Sequence, residues 1–121
     1  MSRHVIEIPG WHPARANEYR GRHWSAEAAA KTDCRKALVA FGGKRRSLKA
    51  AGKRRVVLTI TIGPRGGQPD SDAYDKVVLD SLVRLGLLTG DGPAGIEGRM
   101  GVEFVRGPRK STRITLEDCE A

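Results

Sequence analysis

The chain has 121 residues, with 22 Lys and Arg against 14 Asp and Glu for a formal charge of +8, and 39% hydrophobic residues. A chain of this length forms one domain that buries roughly two-thirds of its unfolded surface without disulfides or a structural metal, which excludes a multi-domain, multi-cofactor enzyme. No apolar run reaches the roughly 18 to 20 residues of a membrane span, and Met1-Ser2-Arg3-His4 lacks the apolar stretch of a secretory signal, so a cytoplasmic location is expected.

Residues 4 to 8 (His-Val-Ile-Glu-Ile) alternate as a strand does and stop at Pro9-Gly10. From Trp11 to Trp24 the mixture of Pro13, Asn17 and Tyr19 with Arg15, Arg20 and Arg22 reads as a long loop. Ser25 to Phe41 is Ala-rich, with Ser25 as N-cap, Gly42-Gly43 as stop, and Ala30, Cys34, Leu38 and Phe41 at helical spacing. Residues 44 to 55 hold seven basic side chains and no acid, an exposed basic segment. Arg55 to Ile62 is a strand rich in β-branched residues, and its near-continuous apolar character places it centrally in a sheet. A second helix is expected from near Asp72 to Leu85, closed by Gly86, with Val78, Leu79, Leu82 and Val83 on its apolar face. Two strands, Gly101 to Arg106 and Thr112 to Leu116, then flank Gly107-Pro108-Arg109-Lys110, read as a hairpin turn. The order β-α-β-α-β-β predicts a single α+β domain over residues 1 to 121, a small mixed sheet flanked by two main helices.

Cys34 and Cys119 lie 85 positions apart without a CxxC, and both read as reduced structural thiols. His4, His12 and His23 have no H-x-E or H-E-x-x-H context, and there is no GK[ST] loop, so neither a metalloprotease nor a nucleotide cofactor is indicated.

The charge is unevenly spread. Residues 1 to 69 carry 15 basic and 4 acidic side chains, whereas residues 70 to 121 carry 7 basic and 10 acidic ones. The first half suits a polyanion, yet a protein that merely coats nucleic acid has little reason to collect carboxylates in one half.

Those carboxylates are concentrated. Asp70, Asp72, Asp75, Asp80 and Asp91 fall within 22 residues. Asp70 and Asp72, two apart in an extended segment, project the same way where a helix begins. Lys76 follows Asp72 by four and stacks over it, Asp80 follows Lys76 by four and is placed to hold its ammonium, and Asp75 is expected to face solvent. Asp91, in a Gly-rich loop, is expected to fold back toward the same point. Taken alone, an Asp-x-Asp at a helix start favours the positive helix end, worth about 0.3 to 1 kcal/mol per residue. With Lys76 and Asp91 the alternative is a hard cation: clustered carboxylates need a counter-charge, and Mg²⁺ suits a few carboxylates plus waters and phosphates. Such a centre activates water against a phosphodiester, with Lys76 steadying the phosphate or leaving oxygen. Arg15, Asn17, Arg20, Arg22 and Arg65 flank the site as candidate DNA contacts, the 44 to 55 run adds a salt-sensitive attraction, and Trp11 and Trp24 read as core or loop anchors.

At these residues the chain resembles the RusA family of Holliday junction resolvases, small endonucleases often carried by phages and prophages. Asp70, Asp72, Lys76, Asp80-Ser81-Leu82, Gly86-Leu87-Leu88 and Asp91 answer to its pattern in order and spacing, and Pro13 to Arg20 echoes its N-terminal segment. Ala73 stands where the family has Asn, and Gly90 replaces one member of an Asp-Asp pair. The resemblance implies Asp70, Asp72 and Asp91 as ligands of Mg²⁺ or Mn²⁺, and a homodimer that nicks four-way DNA junctions symmetrically. Alternatives are a non-catalytic nucleic-acid-binding module with structural aspartates and an RNA-binding accessory protein.

Overall fold

The computed structural model describes residues 2 to 119. Its main elements are β1 (Arg3–Pro9), α1 (Trp24–Ala40), β2 (Arg54–Ile62), α2 (Asp75–Arg84), β3 (Gly101–Arg106) and β4 (Ser111–Asp118), with short 3₁₀ turns at Ala16–Glu18, Arg46–Leu48 and Ser71–Tyr74. This is the expected α+β order. Helix α1 starts one residue before Ser25, because the His23 ring nitrogen Nδ1 accepts the Ser25 backbone N–H and so takes the capping role. Gly86 ends the second helical segment with φ +79°, a left-handed conformation that glycine adopts without a Cβ penalty. No helix is long and apolar enough to cross a membrane among the described residues.

The four strands lie in the order β1-β4-β2-β3. β2 is central, antiparallel to β4 and parallel to β3. Its even-numbered residues Val56, Leu58, Ile60 and Ile62 are buried in one cluster with Ile6 and Ile8 of β1, Ile114 and Leu116 of β4, and Cys34, Leu38, Val77, Val78 and Leu82 of the helices. Each such aliphatic side chain contributes about 1.5 to 3 kcal/mol by leaving water. Cys34 and Cys119 are free, and burial pushes the Cys34 thiol up to about 11, which keeps it protonated and inert.

Two expectations are corrected. Residues 107 to 110 do not make a hairpin, because β3 and β4 are not neighbours: β2 lies between them. Two strand spacings are roughly 10 Å, and a fully extended four-residue connection spans at most roughly 13 to 14 Å, enough for the link to cross over the end of β2. It does so closely, with the Gly107 N–H donating to the Ile62 carbonyl (3.0 Å) and a Cβ at Gly107 falling 3.0 Å from Thr61 Cγ2.

The 44 to 55 segment is not simply an exposed basic run. Leu48 is buried, Lys53 pairs with Glu97 (3.2 Å) and Arg55 with Glu117 (3.6 Å). Arg54 stands on the core side of β2, only 2% exposed. Its guanidinium donates to the Asp118 carboxylate (2.6 Å) and to the carbonyls of Leu48 (2.6 Å) and Leu87 (3.0 Å). A buried cation is tolerated when its donors are met, and here they are.

Arg54→Met is expected to cost about 3 kcal/mol, because it leaves the carboxylate and two carbonyls without their donor. A drop of about 10 °C in the melting temperature would register it. The Arg54 hydrogen bond also holds the Asp118 carboxyl below its ordinary range. A depressed carboxyl stabilises the fold above its unfolded pKa and loses that stabilisation as pH falls through the folded one, so wild-type stability should decline below about pH 4 by an increment missing from Arg54→Met.

Candidate functional site

After Ile62 the chain leaves the sheet in a loop held by Arg106, whose guanidinium donates to the carbonyls of Gly63 (3.0 Å) and Gly66 (2.9 Å). Asp70 (φ −66°, ψ 138°) then opens the Ser71–Tyr74 turn. Tyr74 anchors that turn, 2% exposed and packed against Phe104 with ring centroids 6.2 Å apart. Anchoring Tyr74 inward leaves Asp70, Ser71 and Asp72 exposed on the outside. Asp70 occupies the N-cap position without forming a side-chain cap hydrogen bond, so capping does not account for its carboxylate.

Three clefts meet at Asp72. One, of about 380 Å³, runs between Arg15, Asn17 and Arg20 on one side and Gln68 and Asp70 on the other. A second, of about 560 Å³, is bordered by Asp70, Asp75, Arg99 and Met100. The third, of about 380 Å³, lies between Tyr19, Arg22, Trp24, Glu27, Asp75 and Lys76. Asp72 borders all of them. Arg15, Asn17 and Arg20 are thus brought to the two aspartates from a loop fifty or more residues away in sequence, as the DNA-contact reading requires. Arg22 joins from the third cleft, and Arg65 is exposed on the preceding loop but borders none of the three.

Other expected partners differ. Lys76 does border the third cleft with Asp72, but its ammonium pairs with Glu27 of α1 (2.8 Å), not with Asp80. That hydrogen bond lowers the Glu27 pKa and raises that of Lys76, so both stay charged. Asp80 lies between Lys31 (3.7 Å) and Arg35 (3.9 Å), clamping α1 to α2. Asp75 is half-buried instead of facing solvent. Burial raises its pKa, the Asp72 charge adds to the rise, and Arg99 at 3.8 Å opposes it. Asp91 is exposed on the loop after Leu88 and borders none of the three clefts. Among the described residues no three Asp, Glu, His or Cys side chains stand close enough together to hold a metal ion. The carboxylates the structure does bring together, around the second cleft, are Asp70, Asp72 and Asp75.

Glu27 and Arg99 went unnoticed in the sequence, while Asp75 and Trp24 were read there in other roles, as a solvent-facing carboxylate and as an anchor. Glu27 stands four residues before Lys31 and pairs with it (3.8 Å), and only the packing of α1 on α2 brings it to Lys76. Trp11 is the expected anchor, with its indole N–H on Asp33 (3.0 Å), but Trp24 is 76% exposed. At the family's Asn position Ala73 is half-buried against the core and borders two of the clefts. A Cβ at Gly90 would meet nothing within 4 Å.

No family model and no curated protein matches this chain.

If Glu27 holds Lys76, Glu27→Gln should bring the Lys76 titration back down toward the ordinary lysine range, and Asp80→Asn should leave it in place. An NMR titration of the lysine Nζ and Cε resonances measures both; the opposite pattern would return Lys76 to Asp80.

Proposed function

We propose that the chain is a Mg²⁺-dependent, structure-selective DNA endonuclease that resolves four-way junctions by paired, symmetric phosphodiester hydrolysis, acting in DNA recombination and repair in the cytoplasm. The observation that carries this reading is the position of Asp70 and Asp72, exposed and uncapped where clefts lined by Arg15, Arg20, Arg22 and Lys76 meet. Anionic ligands beside cationic walls suit a metal that must meet a phosphate.

The donor set fits Mg²⁺ in its usual protein form, one or two carboxylates completed by water and substrate phosphate. Bound there, Mg²⁺ (or Mn²⁺) supplies an activated water and neutralises charge on the phosphodiester. Asp70 and Asp72 hold the ion. Arg15 and Arg20 position the strand, with Asn17 and Arg22 as further contacts and Arg65 on the outer loop. Lys76, fixed by Glu27, offers its ammonium to the phosphate or the leaving oxygen. The resemblance names Asp91 as a third ligand, but its loop lies apart from these clefts. A homodimer presents two such sites to a two-fold-symmetric junction.

The separation of Asp91 from the three clefts, with Ala73 and Gly90 at family positions, favours one second reading: a nucleic-acid-binding module without catalysis.

Purified protein with Mg²⁺ should nick a synthetic mobile four-way junction at symmetry-related positions, and an intact junction across salt and pH would overturn the reading in favour of the binding module. Loss of even an outer-shell partner costs metal sites about 10- to 100-fold, so Asp72→Asn should lower cleavage by at least about 100-fold while junction binding persists. Comparing Asp75→Asn with Asp91→Asn identifies the third carboxylate.

A further inference from the structure

Trp24 is the first residue of α1 and is 76% exposed, the most exposed of the large apolar side chains. Nothing in the core needs it. Its ring nonetheless lies against that of His23, tilted, with centroids 5.2 Å apart and planes inclined by 38°. His23 in turn is fixed by its hydrogen bonds to Ser25. A large aromatic face kept in water beside a second ring is open to stacking.

The cleft beside it has a second unexplained feature. Tyr19 borders the cleft, is only 7% exposed, and its hydroxyl is buried with no hydrogen-bond partner among the described residues. Orphaned buried polar atoms are rare in folded proteins, so this hydroxyl is an unpaired polar atom in a residue that walls the cleft. The cleft volume of about 380 Å³ falls in the range of small-ligand sites, roughly 300 to 1,000 Å³. Its charged rim is Arg20, Arg22 and Lys76 opposite Glu27, Asp72 and Asp75.

We propose that this cleft receives an unpaired nucleobase of a DNA strand, stacked on Trp24 with its flanking phosphates on Arg20 and Arg22. It rests on the nucleic-acid reading above and deepens it. A polymer fits better than a free nucleotide because the cleft adjoins its neighbour. Ala16, Arg20, Asp72 and Ala73 border both, so a strand leaving Trp24 passes Asp72 and enters the cleft of Arg15 and Asn17. Aromatic stacking is open to every base, which suits recognition of an unpaired base by structure and not by sequence.

The test uses the full chain without divalent metal, so that cleavage does not intervene. In Trp11→Phe, Trp24 is the remaining tryptophan, and its emission should be quenched by a single-stranded oligo(dT) and by a four-way junction carrying an unpaired base. Trp24→Ala should weaken oligo(dT) binding by about 5- to 100-fold, the range of base–aromatic stacking, and Trp24→Phe should restore most of it. Because Trp24 lies outside the core, the melting temperature should not move, which separates this role from a structural one. Unchanged affinity in Trp24→Ala, absent quenching, or an equal loss on fully paired duplex would overturn the proposal. If oligo(dT) quenches Trp24 but Mg²⁺ produces no junction cleavage, the nuclease reading fails and the base site stands. Cleavage that continues with Trp24 unquenched gives the reverse.

Discussion

The buried guanidinium of Arg54 is the constraint on which the rest of the fold depends. A cation that is 2% exposed on the core face of a central strand must have its donors met, and it gathers three separate segments to do so. Through Leu48 it draws in the connection from α1, through Leu87 the exit from α2, and through Asp118 the last residue of β4. Its backbone extends the same role: the Arg54 N–H donates to Gly95 and the Arg54 carbonyl accepts from Glu97, which ties down the loop before β3. Lys49 reinforces it by donating to the Leu85 carbonyl. All of this lies at the start of β2. The candidate site lies after its other end, beyond Ile62, where ligands commonly sit outside the carboxyl ends of parallel strands. One end of the domain is thus closed by a hydrogen-bonded hub, and the other is left open for exposed charge.

Electrostatics repeat this division. The basic first half and the acidic second half attract each other within the fold, since Lys31 and Arg35 meet Asp80, while Lys53, Arg54 and Arg55 meet Glu97, Asp118 and Glu117. Much of the charge asymmetry is therefore used to join the halves, mostly by partly exposed pairs of which each contributes about 0 to 1 kcal/mol. The contacts at Arg54 are the exception because water is excluded there. Asp70 and Asp72 are carboxylates that this pairing does not consume, and they lie beside arginines of the opposite half. A net charge of +8 would describe a general affinity for polyanions; the arrangement is narrower than that.

Local chemistry made the elements legible. The β-branched run of β2, the glycine stop after α2 and the alternation of β1 depend on neighbouring residues, and each was readable to within a few positions. Strand order was not, because a Gly-Pro link of four residues serves a hairpin or a crossover equally well, and only the pairing of β3 on the far edge of β2 decides between them. Arg54 was hidden for a similar reason. Among the seven basic residues of the 44 to 55 run its one distinction is phase, an even-numbered position on the buried face of β2, and that phase emerges only once the strand is extended back by one residue. In the site, the spacing of Asp70, Asp72 and Lys76 was visible, but the partner of Lys76 comes from another helix.

Asp91 shows where linear spacing stops being informative. Its loop is a compact turn: the N–H groups of Gly95 and Ile96 both donate to Gly92, and a Cβ on Gly95 would come 2.1 Å from the Gly90 carbonyl oxygen, so glycine there is a packing requirement. Leu87 and Leu88 bury one end of the turn, and the Arg54 backbone holds the other. A loop fixed in this way does not swing freely toward Asp72. Asp75 is already beside Asp72, half-buried, with burial opposing its ionisation, Arg99 favouring it and the Asp72 charge adding to the opposition. A cation bound between them would offset the repulsion between these two charges, and Asp75 shares a cleft with Asp72 whereas Asp91 does not, so position favours Asp75 over Asp91 as the partner of Asp72 in the proposed metal site.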